Sequence, residues 1–236
     1  MFEQQVAEVY DLIYRGRGKD FRAEAADLAE LIRARKPDAT SLLDVACGTG
    51  EHLRFLREHF AEVAGVELSP AMRAVATAKL PGVPVTGGDM RDFALGRTFD
   101  AVTCMFSSVA YMPTVADLRA AIARMAQHLA AGGVLVLEPW FFPEQFADGH
   151  VAGHVVRDAG RTVSRVSRSV RVDGVTRMES QYLVADDRGI EHFAQVEMIT
   201  LFDESDYLQA VELAGCAAEF VADRLSDRGL VVGTKR

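Results

Sequence analysis

Cysteine is scarce in this chain. It occurs three times in 236 residues, as Cys47, Cys104 and Cys216, with no CxxC pair. An odd, widely spaced set excludes a disulfide framework and offers no zinc spacing, so no metal is expected. Reduced thiols in a cytoplasmic core are expected instead. Long apolar runs are missing as well. None approaches the roughly 20 residues that cross a bilayer. The start, Met1-Phe2-Glu3-Gln4-Gln5, has neither the basic nor the apolar region of a signal peptide. A soluble, cytoplasmic protein with no membrane partner is the expectation. Positive charge is also in deficit: 26 Lys and Arg against 34 Asp and Glu give a net charge of −8. That excludes general nucleic-acid binding through the whole surface. No internal repeat, low-complexity segment or linker is evident.

A missing glycine decides more. The run Leu42-Leu-Asp-Val-Ala-Cys-Gly-Thr-Gly50 reads as a buried strand that ends in a glycine loop and enters a helix at Glu51. Such a loop lets a ligand lie on bare backbone. The dinucleotide fingerprint needs a third glycine three residues after the second. Leu53 stands there, so the nicotinamide reading loses its support. Asp44, inside the strand end, favours a cationic cofactor over a diphosphate.

What is present is apolar: 49% of the chain, enough for one sizeable core with a small added element. Helical spacing covers residues 4–14 and 20–35, and Pro37-Asp38 ends the second run. Strands are predicted at 41–46, 63–68, 83–86, 99–105 and 134–138. Helices are predicted at 51–60, from Ser69-Pro70 onward, and at 115–130 with Gly132-Gly133 as its stop. This alternation implies an α/β fold with a doubly wound, mostly parallel sheet, whose ligands bind beyond the strands' carboxyl ends. Beyond Trp140 the pattern changes. Residues 151–201 read as strands and turns, with Asp173-Gly174 as a hairpin signal. A helix at 203–215 and a strand at 230–234 close the chain. One domain, 1–236, with an antiparallel β insertion at about 150–201 is expected.

Further side chains fall at the strand ends. Glu67 can accept both hydroxyls of a ribose. Asp89 beside Met90 suits an adenine amino group and ring face. Strand 99–105 closes the set. In order and spacing, Asp44–Gly50, Glu67, Asp89-Met90 and this strand resemble the class I S-adenosylmethionine-dependent methyltransferases. The resemblance implies S-adenosylmethionine as cofactor. It places Ala46 and Gly48 at the methionyl part, Glu67 at the ribose, Asp89 and Met90 at the adenine, and Met105 in the pocket wall. Tyr10 and Tyr14, four residues apart on the first helix, serve either as helix packing or as an aromatic cover for the sulfonium.

The likeness narrows further. Tyr10-Asp-Leu, Gly16-Arg-Gly-Lys-Asp20, Gly88-Asp-Met-Arg-Asp-Phe93, Met105-Phe-Ser-Ser108, Val136-Leu-Glu-Pro-Trp140, Phe142-Pro-Glu144, Ile199-Thr-Leu-Phe202 and Arg228-Gly-Leu230 resemble one group across nearly the whole chain. That group is the TDP-3-amino-sugar N,N-dimethyltransferases of macrolide biosynthesis, of the desosamine and mycaminose pathways. It implies a TDP-linked amino sugar as acceptor, a homodimer, and Tyr111 and Ser108 at the reacting centre. The acceptor-binding set it implies is Phe2, Trp140, Phe142, Arg165 and Arg228, with Arg228 on phosphate. The residues agree in kind. The insertion carries Arg157, Arg161, Arg165, Arg168, Arg171 and Arg177 in an acidic chain, and arginine suits phosphate. Alternation lets Arg165 and Arg171 share a face and turns Arg168 the other way. A solvated polar face is the other reading of these arginines. Trp140, Phe141 and Phe142 either stack on the acceptor or pack in the core.

Direct displacement by the sugar nitrogen on the methyl carbon is the implied chemistry, aided by alignment. The amine must first be neutral. No histidine sits at an obvious strand end. Tyr111, with a free pKa near 10, suits positioning better than proton abstraction. Three residues depart from the group's pattern. Phe2 and Phe21 stand in place of tyrosines, and Tyr111 where one branch has histidine. An N- or O-methyltransferase for another small acceptor is the competing enzyme reading, and a non-catalytic cofactor-binding module the competing class.

Overall fold

Alternating buried runs build two sheets. The computed structural model describes residues 4–158, 160–222, 224–225 and 228–236. Strands β1 (Ser41–Val45), β2 (Glu62–Glu67), β3 (Val85–Gly87), β4 (Phe99–Cys104) and β5 (Leu129–Leu137) are parallel, in the order 5-4-1-2-3. A second sheet is antiparallel, formed in sequence order by β6 (His150–Asp158), β7 (Arg161–Val172), β8 (Val175–Asp186) and β9 (Gly189–Thr200). Strands β10 (Cys216–Val221) and β11 (Leu230–Lys235) return antiparallel to the edge of β5. Strand order reverses between β1 and β4, which opens a crevice at their carboxyl ends.

Side-chain alternation splits the core. Leu43 and Val45 face a layer with Leu118 and Ile122 of α5 (Val115–Gln127), together with Tyr207 and Val211 of α6 (Glu204–Leu213). Leu42 faces the opposite layer. There it meets Leu28 and Ile32 of α2 (Phe21–Arg33) and Leu53 of α3 (Glu51–Leu56). Fully burying each such side chain contributes about 1.5–3 kcal/mol. A third cluster matters most for the site. Val6, Val9 and Ile13 of α1 (Gln4–Gly16) pack on Met72 of α4 (Pro70–Lys79) and on Val156, Val163 and Val184 of the antiparallel sheet. Helix α1 is thereby wedged between the two sheets. Side-chain caps set the helix starts: Asp20 accepts from Ala23, Ser69 from Met72 and Thr114 from Asp117.

The predicted helix at 115–130 stops early, at Gln127. His128 ends it. Its Nδ1 lies 2.9 Å from the Arg124 carbonyl, its Nε2 accepts from Leu95 N, and its ring stacks on Phe93. The glycines sit inside β5 instead, where the register with β4 breaks between Phe99 and Ala101. A Cβ on Gly133 would lie 2.8 Å from the Ala130 carbonyl oxygen, so only glycine fits this bulge.

Candidate active site

Sharp turns at the ends of β1 and β4 frame the crevice. Ala46 has φ 57°, Phe106 55° and Ser107 61°, all left-handed and none glycine. Such residues cost about 1–3 kcal/mol each and cluster at functional sites. Past Ala46, Gly50 has φ 77°, and a Cβ there would meet Leu80 at 2.7 Å. The loop therefore packs its backbone directly on its neighbours.

Beside this loop lies a cavity of about 490 Å³, lined by Ala46, Gly48, Glu67, Asp89, Met90 and Tyr10, and by residues 195–198 of β9. Glu67 takes one backbone N–H on each carboxylate oxygen, from Gly48 at 2.8 Å and Ser69 at 2.7 Å. Burial pushes its carboxyl above the ordinary range against those two N–H groups. Asp89 is held by Arg91 through its backbone N–H and its guanidinium Nε and Nη2, which keeps the carboxyl below its usual range. Asp44 lies beneath the loop, buried, with the Thr103 hydroxyl donating to it at 2.8 Å, and burial lifts it to about 6. The loop is tied to α1. Thr49 donates to Asp11 at 2.5 Å, and Lys79 bridges Asp11 and Glu51.

A second cavity, about 580 Å³, opens between α1, the ends of β4 and β5, and the inner face of the antiparallel sheet. Arg17, Lys19, Arg165 and Arg228 line it. Arg165 is buried and donates to Ser167 at 3.0 Å, Ser180 at 2.8 Å and Tyr182 at 3.3 Å. Arg228 pairs with Glu138 and lies over the rings of Trp140 and Phe141, 5.5 and 5.6 Å from their centroids. Trp140 Nε1 is a buried donor that bonds to no described atom. Lys19 Nζ stands 4.2 Å from the Phe106 ring centroid. Tyr14 lines this cavity, with its ring 4.6 Å from that of Tyr10 and edge-on to Phe106.

The two cavities share Tyr10, Ser108, Tyr111 and Glu197. The Tyr111 hydroxyl donates to the Glu197 carboxylate. Burial and then neighbouring negative charge push the Tyr111 phenol well above its ordinary value, and Tyr14 reaches about 12. Both phenols are neutral donors at working pH.

Two residues expected in the site lie in the core. Met105 packs with Leu42, Ala101, Val136 and Leu230. Phe142 packs against Tyr207 and Phe220. Neither lines either of these two cavities; at Met105 the left-handed turn at Phe106 reverses which neighbour faces the crevice. Phe106 and Phe141 occupy those walls instead. Arg168 and Arg171 are both exposed, and Arg171 is drawn away to the Pro143 carbonyl. Phe2 lies outside the described residues. Sequence spacing gave no notice of Glu197 or Gln195, and Arg17 and Lys19 entered only within the segment Gly16–Asp20, with no role assigned. The one signal for Gln195 and Glu197 is parity: they share it with the apolar Phe193 and Ile199 along β9.

A family model described as a methyltransferase domain matches residues 42–133. The dTDP-3-amino-3,4,6-trideoxy-alpha-D-glucopyranose N,N-dimethyltransferase of Streptomyces venezuelae is 53% identical over 234 residues, 99% of each chain. This chain belongs to the dTDP-amino-sugar N,N-dimethyltransferases, within the class I S-adenosylmethionine-dependent methyltransferases. Another relative of this methyltransferase is the dTDP-4-amino-2,3,4,6-tetradeoxy-D-glucose N,N-dimethyltransferase of Saccharopolyspora spinosa. It is 48% identical over 229 residues, 97% of this chain and 92% of the relative. The structure of SAM-bound CalS10, an amino pentose methyltransferase from Micromonospora echinaspora, superposes with a TM-score of 0.89 at 54% identity. The match covers 100% of this chain and 98% of that one. S-Adenosylmethionine is accordingly the methyltransferase's cofactor. The residues present fit it. Glu67 keeps acceptor capacity after its two backbone bonds, the loop backbone is bare at Gly48, and the cavity's charge suits a cation.

Proposed function

We propose that this methyltransferase transfers methyl groups from S-adenosylmethionine to the 3-amino group of a dTDP-linked deoxysugar, twice, giving the N,N-dimethyl product. The observation that carries this reading is the pair of adjoining cavities. One is lined by carboxylates and the other by four cationic side chains, in a chain of net charge −8, and they meet at a shared wall. A cationic donor and an anionic nucleotide sugar fit on opposite sides of that wall.

The roles follow. Ala46 and Gly48 support the methionyl part, Glu67 the ribose, and Asp89 and Met90 the adenine. Tyr10 covers the sulfonium. Arg165 and Arg228 take the diphosphate, and Trp140 offers its ring and its N–H to the acceptor. Ser108 and Tyr111, on the shared wall, orient the amine in line with the breaking bond. Relatives acting at a 3-amino and at a 4-amino position are about equally similar, so the test pairs the two. Turnover on dTDP-3-amino sugars, weak turnover on 4-amino isomers, and competitive inhibition by dTDP support the reading. Equal or better turnover on 4-amino isomers overturns the regiochemistry, and failure of dTDP to compete overturns the nucleotide-sugar assignment.

The outer face of the antiparallel sheet supports a homodimer. Val151 and Val155 are each 62% exposed there, beside Val166, Leu183 and Val196. Arg168, Arg177 and Glu179 share this face, so it carries both charge signs, which suits a two-fold self-pairing. Sedimentation equilibrium at twice the chain mass supports the pairing, provided Val155→Asp shifts it to monomer. A monomer in the wild type overturns it. Three free, buried cysteines suit a cytoplasmic setting, where an antibiotic sugar, a macrolide's among them, is assembled.

A further inference from the structure

Glu197 has no role in the assignments above, yet it occupies the most demanding place in the site. It lies on β9, on the inner face of the antiparallel sheet, and is 9% exposed. It belongs to the wall common to both cavities. Among the described residues its hydrogen bond comes from Tyr111, and no lysine or arginine pairs with it. Arg165, on the same inner face, acts on it through charge only. Burying a carboxylate without an ion pair is costly. A carboxylate placed this way lies between the two positions where this reaction brings positive charge: the sulfonium on one side and the sugar ammonium on the other.

We propose that Glu197 is the proton acceptor for the sugar amine, and that Tyr111 is the positioning residue that holds its carboxylate on the shared wall. The assignment rests on the amino-sugar reading given above. The sugar ammonium gives one proton to the Glu197 carboxylate. The freed nitrogen lone pair forms the bond to the methyl carbon. The carbon–sulfur bond breaks and its electron pair stays on sulfur, which turns the sulfonium into a neutral thioether. The methylated nitrogen now carries the positive charge. Glu197 releases its proton to solvent through the acceptor cavity and is ready for the second methylation.

Electrostatics suit this role. Burial raises the carboxyl of Glu197, while the Tyr111 hydrogen bond and the Arg165 charge oppose that rise, and burial prevails. A base raised toward neutrality is the better proton acceptor at working pH. Among the described residues, the groups that face it are Tyr10 and Tyr14 from α1, Tyr111 from the turn after β4, and Arg165 from β7. The three phenols are pushed upward and the guanidinium stays charged. None of them supplies an acid limb near neutrality.

The test uses the full chain, S-adenosylmethionine and a dTDP-amino sugar that the wild type turns over. Glu197→Gln keeps the acceptor for Tyr111 and removes the base. Its kcat is expected to fall about 100-fold near neutral pH. The loss narrows as pH rises and the amine sheds its own proton. KM, S-adenosylmethionine affinity by calorimetry and the thermal midpoint stay near wild type. Tyr111→Phe removes a hydrogen bond that stabilises the carboxylate, so the acid limb of the kcat profile moves to higher pH. If E197Q loses cofactor binding, Glu197→Asp carries the test: an acid limb retained in E197D supports the assignment, and its disappearance overturns it. Wild-type kcat and an unmoved acid limb in E197Q overturn the assignment alone. So does a limb that vanishes in His150→Gln, the imidazole that lines the acceptor cavity away from the shared wall. A wild type that methylates no dTDP-amino sugar overturns the substrate reading, and this assignment with it.

Discussion

Arg165 is a buried guanidinium whose described hydrogen bonds go to three hydroxyls and the Met178 sulfur, not to a carboxylate. Burial opposes its charge, while the nearby Tyr14, Tyr182 and Glu197 favour it. Such a cation gains most from an anionic ligand that reaches the cavity. Arg165→Met is expected to raise KM for the nucleotide sugar about 10- to 100-fold with little change in kcat, and to leave the thermal midpoint level or higher. Arg168→Met, on the opposite face of the same strand, is expected to leave KM within about two-fold. Steady-state kinetics on the two variants decide it, and equal KM values would contradict the assignment. Parity along β7 was legible in the sequence, because an uninterrupted strand keeps a period of two. Parity at the strand ends was not. Left-handed turns at Phe106 and Ser107 break the period, so Met105 went into the core while Phe106 took the wall, and past β5 Phe142 went into the core while Phe141 took the wall. Glu197 escaped notice because its importance comes from Tyr111, 86 positions away in sequence.

Helix α1 shows what one element contributes. Its apolar face packs between α4 and the antiparallel sheet, and its polar face reaches the glycine loop through Asp11. Tyr10 and Tyr14 are thereby fixed over the two cavities. Asp11→Ala unties Thr49 and one contact of Lys79 while leaving Lys79 on Glu51. It is expected to weaken S-adenosylmethionine binding about 10-fold, which corresponds to about 1.4 kcal/mol. Calorimetry checks this, and unchanged affinity would show that the tether does not hold the cover in place. Most elements were legible because local signals and periods agree: Ser69-Pro70 and the Asp173-Gly174 hairpin each stand where the chain turns. Exceptions arise where tertiary contacts override local signals. His128 stops α5 before the glycines that looked like its end, and β10 has too little alternation to stand out.

At the scale of the whole molecule, an acidic chain gathers four cations at one cavity. Arg17, Lys19, Arg165 and Arg228 come from the α1–α2 loop, the antiparallel sheet and the approach to β11, and the fold brings them to one place. Carboxylates from β2 and the loop after β3 line the neighbouring cavity. Order and spacing of the motifs revealed the cofactor half, since it is built from consecutive strand ends. The acceptor half is assembled from distant segments, so the residues alone showed its charge, and only the resemblance pointed to its shape. In the function proposed above, methyl groups cross the wall between these cavities to a nucleotide-linked amine. Product mass from the full chain with S-adenosylmethionine and a dTDP-3-amino-deoxysugar tests it most directly. The expected result is a monomethyl intermediate that gives way to a product carrying two added methyl groups. A protein that binds S-adenosylmethionine yet adds no methyl group to any dTDP-amino sugar would contradict it.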